Sequence, residues 1–180
     1  MFRYKLDEHS EIRMLEERHA EALFSLIEQN RERQLEIPQL FSLDEARKAI
    51  KRDLALFAES KGLGVGIWHQ GELAGMVRYH EIDWENRSTE FGYRLGAVFE
   101  GKGLVTKVCR VMIAHAFEEL KLNRIVITCD TENSKSRAVA ERLGFTQEGV
   151  LRQSEWLKDR FIDEAVYSLL ADEWRGRNET

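Results

Sequence analysis

Apolar residues recur along the chain in two periods, and the switches between them outline its elements. Ala20, Leu23, Phe24 and Ile27 lie three and four residues apart, which puts them on one helical face. Ser42 predicts the start of a second helix, because Glu45 follows at capping-box spacing. Ala46, Ile50, Leu54 and Phe57 would be its apolar face. A weak alternation from Glu11 to Leu15 predicts a strand ahead of both helices. The period then changes. Gly64 to Trp68 and Leu73 to His80 flank His69-Gln70-Gly71-Glu72, a glycine-bearing link that signals a hairpin. Arg87 to Val98 is a third strand of this run. A glycine-containing turn, Phe99 to Thr106, then opens a long helix with an apolar stripe of Val105, Val108, Cys109, Met112, Ile113, Ala116, Phe117 and Leu120.

Arg124 to Cys129 is short and rich in β-branched residues, so it predicts a buried strand and makes the long helix a β-α-β crossover. A shorter helix is predicted over Ser134–Leu143, stopped by Gly144 as a C-cap. Val150 to Leu157, a turn at Lys158-Asp159-Arg160, and Phe161 to Leu170 predict a closing hairpin. The expected order is β-α-α-β-β-β-α-β-α-β-β.

The chain has 180 residues, and at about 100–200 residues per domain it is expected to be one domain spanning 1–180. One proline and no Gly/Ser-rich linker give a second domain nothing to stand on. Apolar residues at 43% and charged residues at 33% describe a folded chain. The net charge of -5 argues against a nucleic-acid partner, which needs a basic field. No apolar run approaches the roughly 20 residues that cross a bilayer, so no membrane partner is expected. The N-terminal residues are charged and unlike a signal peptide, and two cysteines make no disulfide framework. A cytoplasmic location with reduced thiols follows as the expectation. Cys109 and Cys129 fall on an apolar helix face and a buried strand, so packing explains them better than nucleophilic chemistry. The five histidines are scattered, with no H-E-x-x-H, so no metal is expected.

Gly101-Lys102-Gly103 sits between a strand and a helix. Backbone amides at a helix start, with the helix dipole behind them, bind anions, and glycine lets the backbone curl close to a phosphate. Lys102 can add charge. On its own the turn is as readily a tight connection as an anion site. It is neither a Walker A loop nor G-x-G-x-x-G, since Thr106 occupies the last position.

Wider context changes that. Glu90-Phe91-Gly92-Tyr93-Arg94-Leu95, the turn, the helix ending Ala116 to Leu120, and the run Glu132 to Phe145 with its Asn-x-x-Ser and Leu-Gly-Phe together resemble the GNAT acetyltransferases. Within them the chain is similar to the RimJ/RimL-type ribosomal-protein N-acetyltransferases, over nearly its whole length and most strongly from Glu90 to Gly149. The resemblance implies an α+β fold with a mostly antiparallel central sheet, a splayed central strand pair and flanking helices. It implies acetyl-CoA as donor. The turn from Glu100 through Gly101, Lys102, Gly103, Leu104 and Val105 to Thr106 would hold the pyrophosphate. Backbone near Tyr93 and Leu95 would pair with the pantetheine arm, which Asn133 would also touch. Glu100 stands where Gln or Arg is common, and Val105 where Gly or Ala is usual. Both changes affect side chains, so backbone binding is expected to survive, with Glu100 directed outward.

Acetyl transfer from a thioester to an amine needs a neutral amine, a stabilised oxyanion and a proton for the leaving thiolate. An α-amine, with a pKa of about 7.7–8.0 against about 10.4 for lysine, is the easier one to deprotonate. By resemblance Glu155 is the general base. Ser136 is the general acid toward sulfur, or a positional hydrogen-bonding partner of the cofactor. Judged as residues alone, Glu155 is a solvent-facing strand carboxylate and Ser136 stabilises a first helical turn. The expected acceptor is the N-terminal α-amine of a ribosomal or other protein. A small amine, such as a polyamine or aminoglycoside, is the alternative, and a non-catalytic CoA-binding module is a third. The stretch Asn30 to Gln39 begins with Asn-Arg as in the resembling chains, yet lacks the tryptophans that in many of them form an acceptor wall. Relatives often dimerise, so a homodimer is expected.

Overall fold

The computed structural model of the chain describes residues 2–32, 41–157 and 159–178. Arg33 to Gln39, the end of the stretch compared above with an acceptor wall, and Lys158 of the closing turn lie outside them. Eight strands are present: β1 (Arg3–Lys5), β2 (Ser10–Arg13), β3 (Leu63–His69), β4 (Glu72–Asp83), β5 (Ser88–Leu95), β6 (Arg124–Asp130), β7 (Thr146–Leu157) and β8 (Arg160–Leu170). Helices α1 (Ala20–Gln29) and α2 (Leu43–Ala58) precede β3. Helix α3 (Leu104–Ala114), which continues as a π-helical turn over His115–Glu119, joins β5 to β6. Helix α4 (Ser134–Leu143) joins β6 to β7, and α5 (Ala171–Asn178) ends the described chain. The hydrogen-bonding order is β1-β2-β3-β4-β5-β6-β8-β7.

Two compact units are distinguished. The first comprises residues 1–79 and 92–108, the second 80–91 and 109–180. In the first, β1, β2, β3 and the start of β4 pair antiparallel, with Val65 opposite Val77 at the centre. Leu23, Leu26 and Ile27 of α1 and Ala46 and Ile50 of α2 are buried against Trp68, Leu73 and Met76. Leu54 is only partly covered and Phe57 is 40% exposed, so the predicted stripe of α2 buries its N-terminal half alone. Ser42 does cap α2, its Oγ accepting from the Glu45 N–H at 3.2 Å. The Glu45 carboxylate accepts from Phe41 N–H at 2.6 Å, one residue earlier than a capping box requires.

In the second unit β6 pairs antiparallel with β8, and β8 with β7. The start of β5 pairs parallel with β6 from Ser88–Arg124 to Glu90–Val126, as a crossover through α3 demands. Of the predicted α3 stripe, Val108, Cys109, Met112, Ile113, Ala116 and Phe117 are buried. Ile125, Ile127 and Cys129 of β6 are buried too, which fits the β-branched run. Helix α4 has the predicted bounds, and Gly144 takes the left-handed C-cap at φ +85° that glycine adopts without strain. Strand β1 and helix α5 were not expected: β1 is wholly exposed and has no apolar alternation, and among the described residues of α5 only Ala171 and Trp174 are buried.

Candidate active site

In the first unit, β5 stops at Leu95 and its continuation is pinned. Gly96 N–H donates to Ala74 O at 2.8 Å. Ala97 N–H donates to Asn30 Oδ1 at 2.8 Å, while Asn30 Nδ2 donates to Leu26 O at 2.7 Å. Asn30, at the end of α1, is buried and satisfies one group on each side. A short 3-10 turn, Ala97–Phe99, sets down buried Phe99. Glu100 to Gly103 follow exposed, with Gly101 at φ +76° and Gly103 at φ +71°. Both angles suit glycine alone. A Cβ at either would meet no heavy atom within 4 Å, so the turn is uncrowded on the side its glycines face.

Buried Leu104 roots the far side, and Val105 and Thr106 are half-buried. The first intrahelical bond runs from Lys107 N–H to Gly103 O at 3.1 Å. The amides of the first turn stand at the positive end of the helix. Lys102 Nζ rests 5.5 Å above the Phe99 ring. Lys107 Nζ is bound to Asp7 Oδ2 at 2.7 Å, a contact that holds the Asp7 carboxyl well below the usual range. The residues present therefore fit a phosphate group held mainly by backbone. Tyr93 and Leu95 are half-buried near the end of β5.

A second feature of this unit was not foreseen. Asp53 of α2 lies over β3, where a Cβ on Gly64 would fall 2.7 Å from its Oδ2. That oxygen accepts from Arg78 Nη2 at 2.9 Å, and Arg78 is the register partner of Gly64. Arg94 of β5 feels both charges. Burial pulls its pKa down to about 10, Arg78 adds to that, and Asp53 opposes it. Arg94 remains a cation at neutral pH.

In the second unit, Asn133 caps α4, with Oδ1 accepting from Ser136 N–H at 3.1 Å. Both residues are half-buried. The Asn133 side chain thus stabilises the first helical turn. Arg137 fastens the same turn, donating from Nε to Tyr167 Oη at 3.0 Å and from Nη1 to Thr131 O at 3.2 Å.

Glu155 owes its placement to a bulge. Leu151 is opposite Glu164 and Glu155 opposite Ile162, so Arg152, Gln153 and Ser154 face Asp163 alone. Gln153 turns to φ +52°, and its N–H donates to Asp163 Oδ1 at 2.8 Å. Bulges of this kind re-aim side chains. Glu155 emerges half-buried, its carboxyl pKa raised first by that burial and then by the charges of Glu164 and Asp130. Asp130 is buried and stands opposite Glu164 across β6 and β8. Arg160 Nη2 lies 3.6 Å from Asp130 Oδ2 and 2.7 Å from Glu132 Oε2. A carboxyl that holds its proton more firmly than an ordinary glutamate is a better acceptor of a proton from an amine.

Asn30, Arg94 with its partners, and the Asp130–Glu164 pair had no local signature beyond the Asn-Arg dipeptide at Asn30. Their significance comes from contacts between distant segments. Among the described residues no group of His, Cys, Asp and Glu could hold a metal ion, and no helix is long and apolar enough to cross a membrane. Cys109 is fully buried with its thiol pKa pushed up by that burial, the opposite of an activated nucleophile.

The chain belongs to the GNAT acetyltransferase family: the Acetyltransferase (GNAT) domain matches residues 10–146. It is an N-acetyltransferase that uses acetyl-CoA. It is 42% identical to the "Putative ribosomal N-acetyltransferase YdaF" of Bacillus subtilis (strain 168), over 98% of this chain and 99% of that one. It is 30% identical to the ribosomal-protein-serine acetyltransferase of Escherichia coli (strain K12), over 93% and 96%. Among solved structures, RimL, a ribosomal L7/L12 alpha-N-protein acetyltransferase in complex with coenzyme A, superposes with a TM-score of 0.89 at 27% identity, covering 94% of this chain and 98% of that one.

Proposed function

We propose that this enzyme acetylates the N-terminal α-amine of a ribosomal or other protein. The observation that carries this reading is Glu155: a half-buried carboxylate with a raised pKa. An α-amine needs a weaker base than lysine does, so a glutamate suffices for it. Similarity along essentially the full chain to proteins named for ribosomal substrates supports the same acceptor.

Acetyl-CoA supplies the thioester. Backbone amides of Gly101 to Thr106 hold the pyrophosphate, with Glu100 turned to solvent and Lys102 adding charge at the rim. Main-chain groups of Tyr93 and Leu95 and the side chain of Asn133 align the pantetheine arm. Glu155 takes the amine proton directly or through one water. Ser136, in the first turn of α4, returns a proton toward sulfur or holds the cofactor in place. The enzyme works as one domain over 1–180, in the cytoplasm and as a homodimer. The deciding experiment incubates it with acetyl-CoA and a panel of N-terminal peptides, ribosomal proteins and polyamines, following free thiol and mass shifts together. Acetylation confined to polyamines would overturn the protein acceptor. Thiol release without any acetylated panel member would overturn all of these acceptors.

A further inference from the structure

Strand β7 is fixed in register at both ends. Thr146 lies opposite Ser168 at its start, and Leu157 opposite Arg160 at the closing turn. Between them, Leu151 to Glu155 on β7 must match Glu164 to Ile162 on β8, a longer run against a shorter one. The surplus is absorbed immediately ahead of Glu155. Its centre is Gln153, at φ +52°. A residue other than glycine keeps such a conformation only where its surroundings enforce it. Side-chain contacts supply that enforcement. Ser154 Oγ donates to Leu151 O at 3.2 Å and closes the excursion on itself. Asp163 Oδ1 accepts from Gln153 N–H at 2.8 Å and fastens the left-handed residue to β8. The half-buried Asp163 also reaches toward α4. Its main-chain O accepts from Thr131 N–H at 2.9 Å, and Thr131 O accepts from Arg137 Nη1 at 3.2 Å. One residue therefore ties the bulge that carries Glu155 to the helical turn that carries Asn133 and Ser136.

We propose that Asp163 is a positioning residue for acetyl transfer: its carboxylate holds Gln153 in the left-handed turn and so aims Glu155 at the acceptor amine. This rests on Glu155 as the base. A reacting group must be held to within about 0.5 Å, and a displacement of about 1 Å can cost about 10²-fold in rate. The side chain of Asp163 serves Glu155, whereas its main chain serves the α4 turn, so the two effects separate on substitution.

The test measures kcat, KM and Tm with the panel acceptor that the wild type acetylates fastest, and acetyl-CoA affinity by calorimetry. Asp163→Ala should lower kcat about 10–100-fold and leave acetyl-CoA affinity unchanged, since the main-chain bond to Thr131 survives. Asp163→Asn keeps an acceptor oxygen and should recover most of that loss. Adding Gln153→Gly to Asp163→Ala should recover part of it, because glycine takes the left-handed conformation without strain. A general loss of stability would not be relieved in that way. Adding Asp163→Ala to Glu155→Gln should cost no further factor, as expected of residues that act as a unit. A wild-type kcat in Asp163→Ala would overturn the assignment, and so would losses that multiply in the double variant. If Asp163→Ala does not fold, Asp163→Asn decides: turnover near wild type supports the contact, and a large loss at wild-type Tm overturns it. A near-wild-type kcat in Glu155→Gln would overturn the base itself, and the inference with it.

Discussion

Asn30 offers a direct measure of how the donor turn is held. Replacing it with alanine removes both of its side-chain hydrogen bonds, to Leu26 O at 2.7 Å and from Ala97 N–H at 2.8 Å. With Asn30 only 4% exposed, water cannot easily replace either. An orphaned buried N–H costs about 1–3 kcal/mol, and the carbonyl adds somewhat less. Together they give a loss of about 2–4 kcal/mol, or about 5–15 °C in Tm for a chain of this size. Urea titration measures the first and calorimetry the second. Because Ala97 leads into Gly101, the KM for acetyl-CoA should rise with the stability loss. Asn30→Asp sharpens the test. An aspartate keeps the acceptor for Ala97 but sets a negative oxygen against Leu26 O, so its folded pKa is raised above the unfolded value. The penalty is then present at neutral pH and relieved as pH falls through the folded pKa, where the acid can donate. A loss below about 1 kcal/mol in Asn30→Ala, or an Asn30→Asp variant indifferent to pH, would refute the reasoning.

Two further outcomes follow from the site. Glu155→Gln should lower turnover by about 10²–10⁴-fold with little change in acetyl-CoA affinity. The raised pKa of Glu155 puts the acid limb of the wild-type rate profile above that of an ordinary glutamate, and a variant with a near-wild-type profile would remove it as the base. The same raised pKa costs stability above the folded pKa and nothing below the unfolded one, so Glu155→Gln should be slightly more stable than wild type at neutral pH and no different in acid. Gly103→Val should cost about 1–2 kcal/mol through its φ of +71° and abolish thermal protection by acetyl-CoA. Unchanged protection would count against the turn.

Elements bounded by their own residues were legible in the sequence. Helix α4 carries both ends locally, Asn133 as cap and Gly144 as stop, and β6 announces itself by its β-branched run. The glycine turn was legible as a turn, and its φ angles explain why those two positions are glycine. What depends on a partner strand was not. Nothing in Leu151 to Glu155 announces that three residues will face Asp163 alone, since register belongs to the pair β7 and β8. Phe57 satisfies the helical period yet remains exposed, because periodicity says which face a residue occupies and not how far the core extends. Arg94 and Asp53 are separated by helix, turn and two strands, so their shared field exists only after folding.

The bulge in β7 has a second consequence, for assembly. Strand β7 ends the hydrogen-bonding order, and Val150, Leu151 and Trp156 lie exposed along it. A straight border of that composition would template the addition of a foreign strand and, repeated, a growing fibril. The excursion at Arg152 to Ser154 interrupts the spacing such a newcomer would need. One irregularity thus turns a carboxylate and breaks the regular spacing along the border of the sheet.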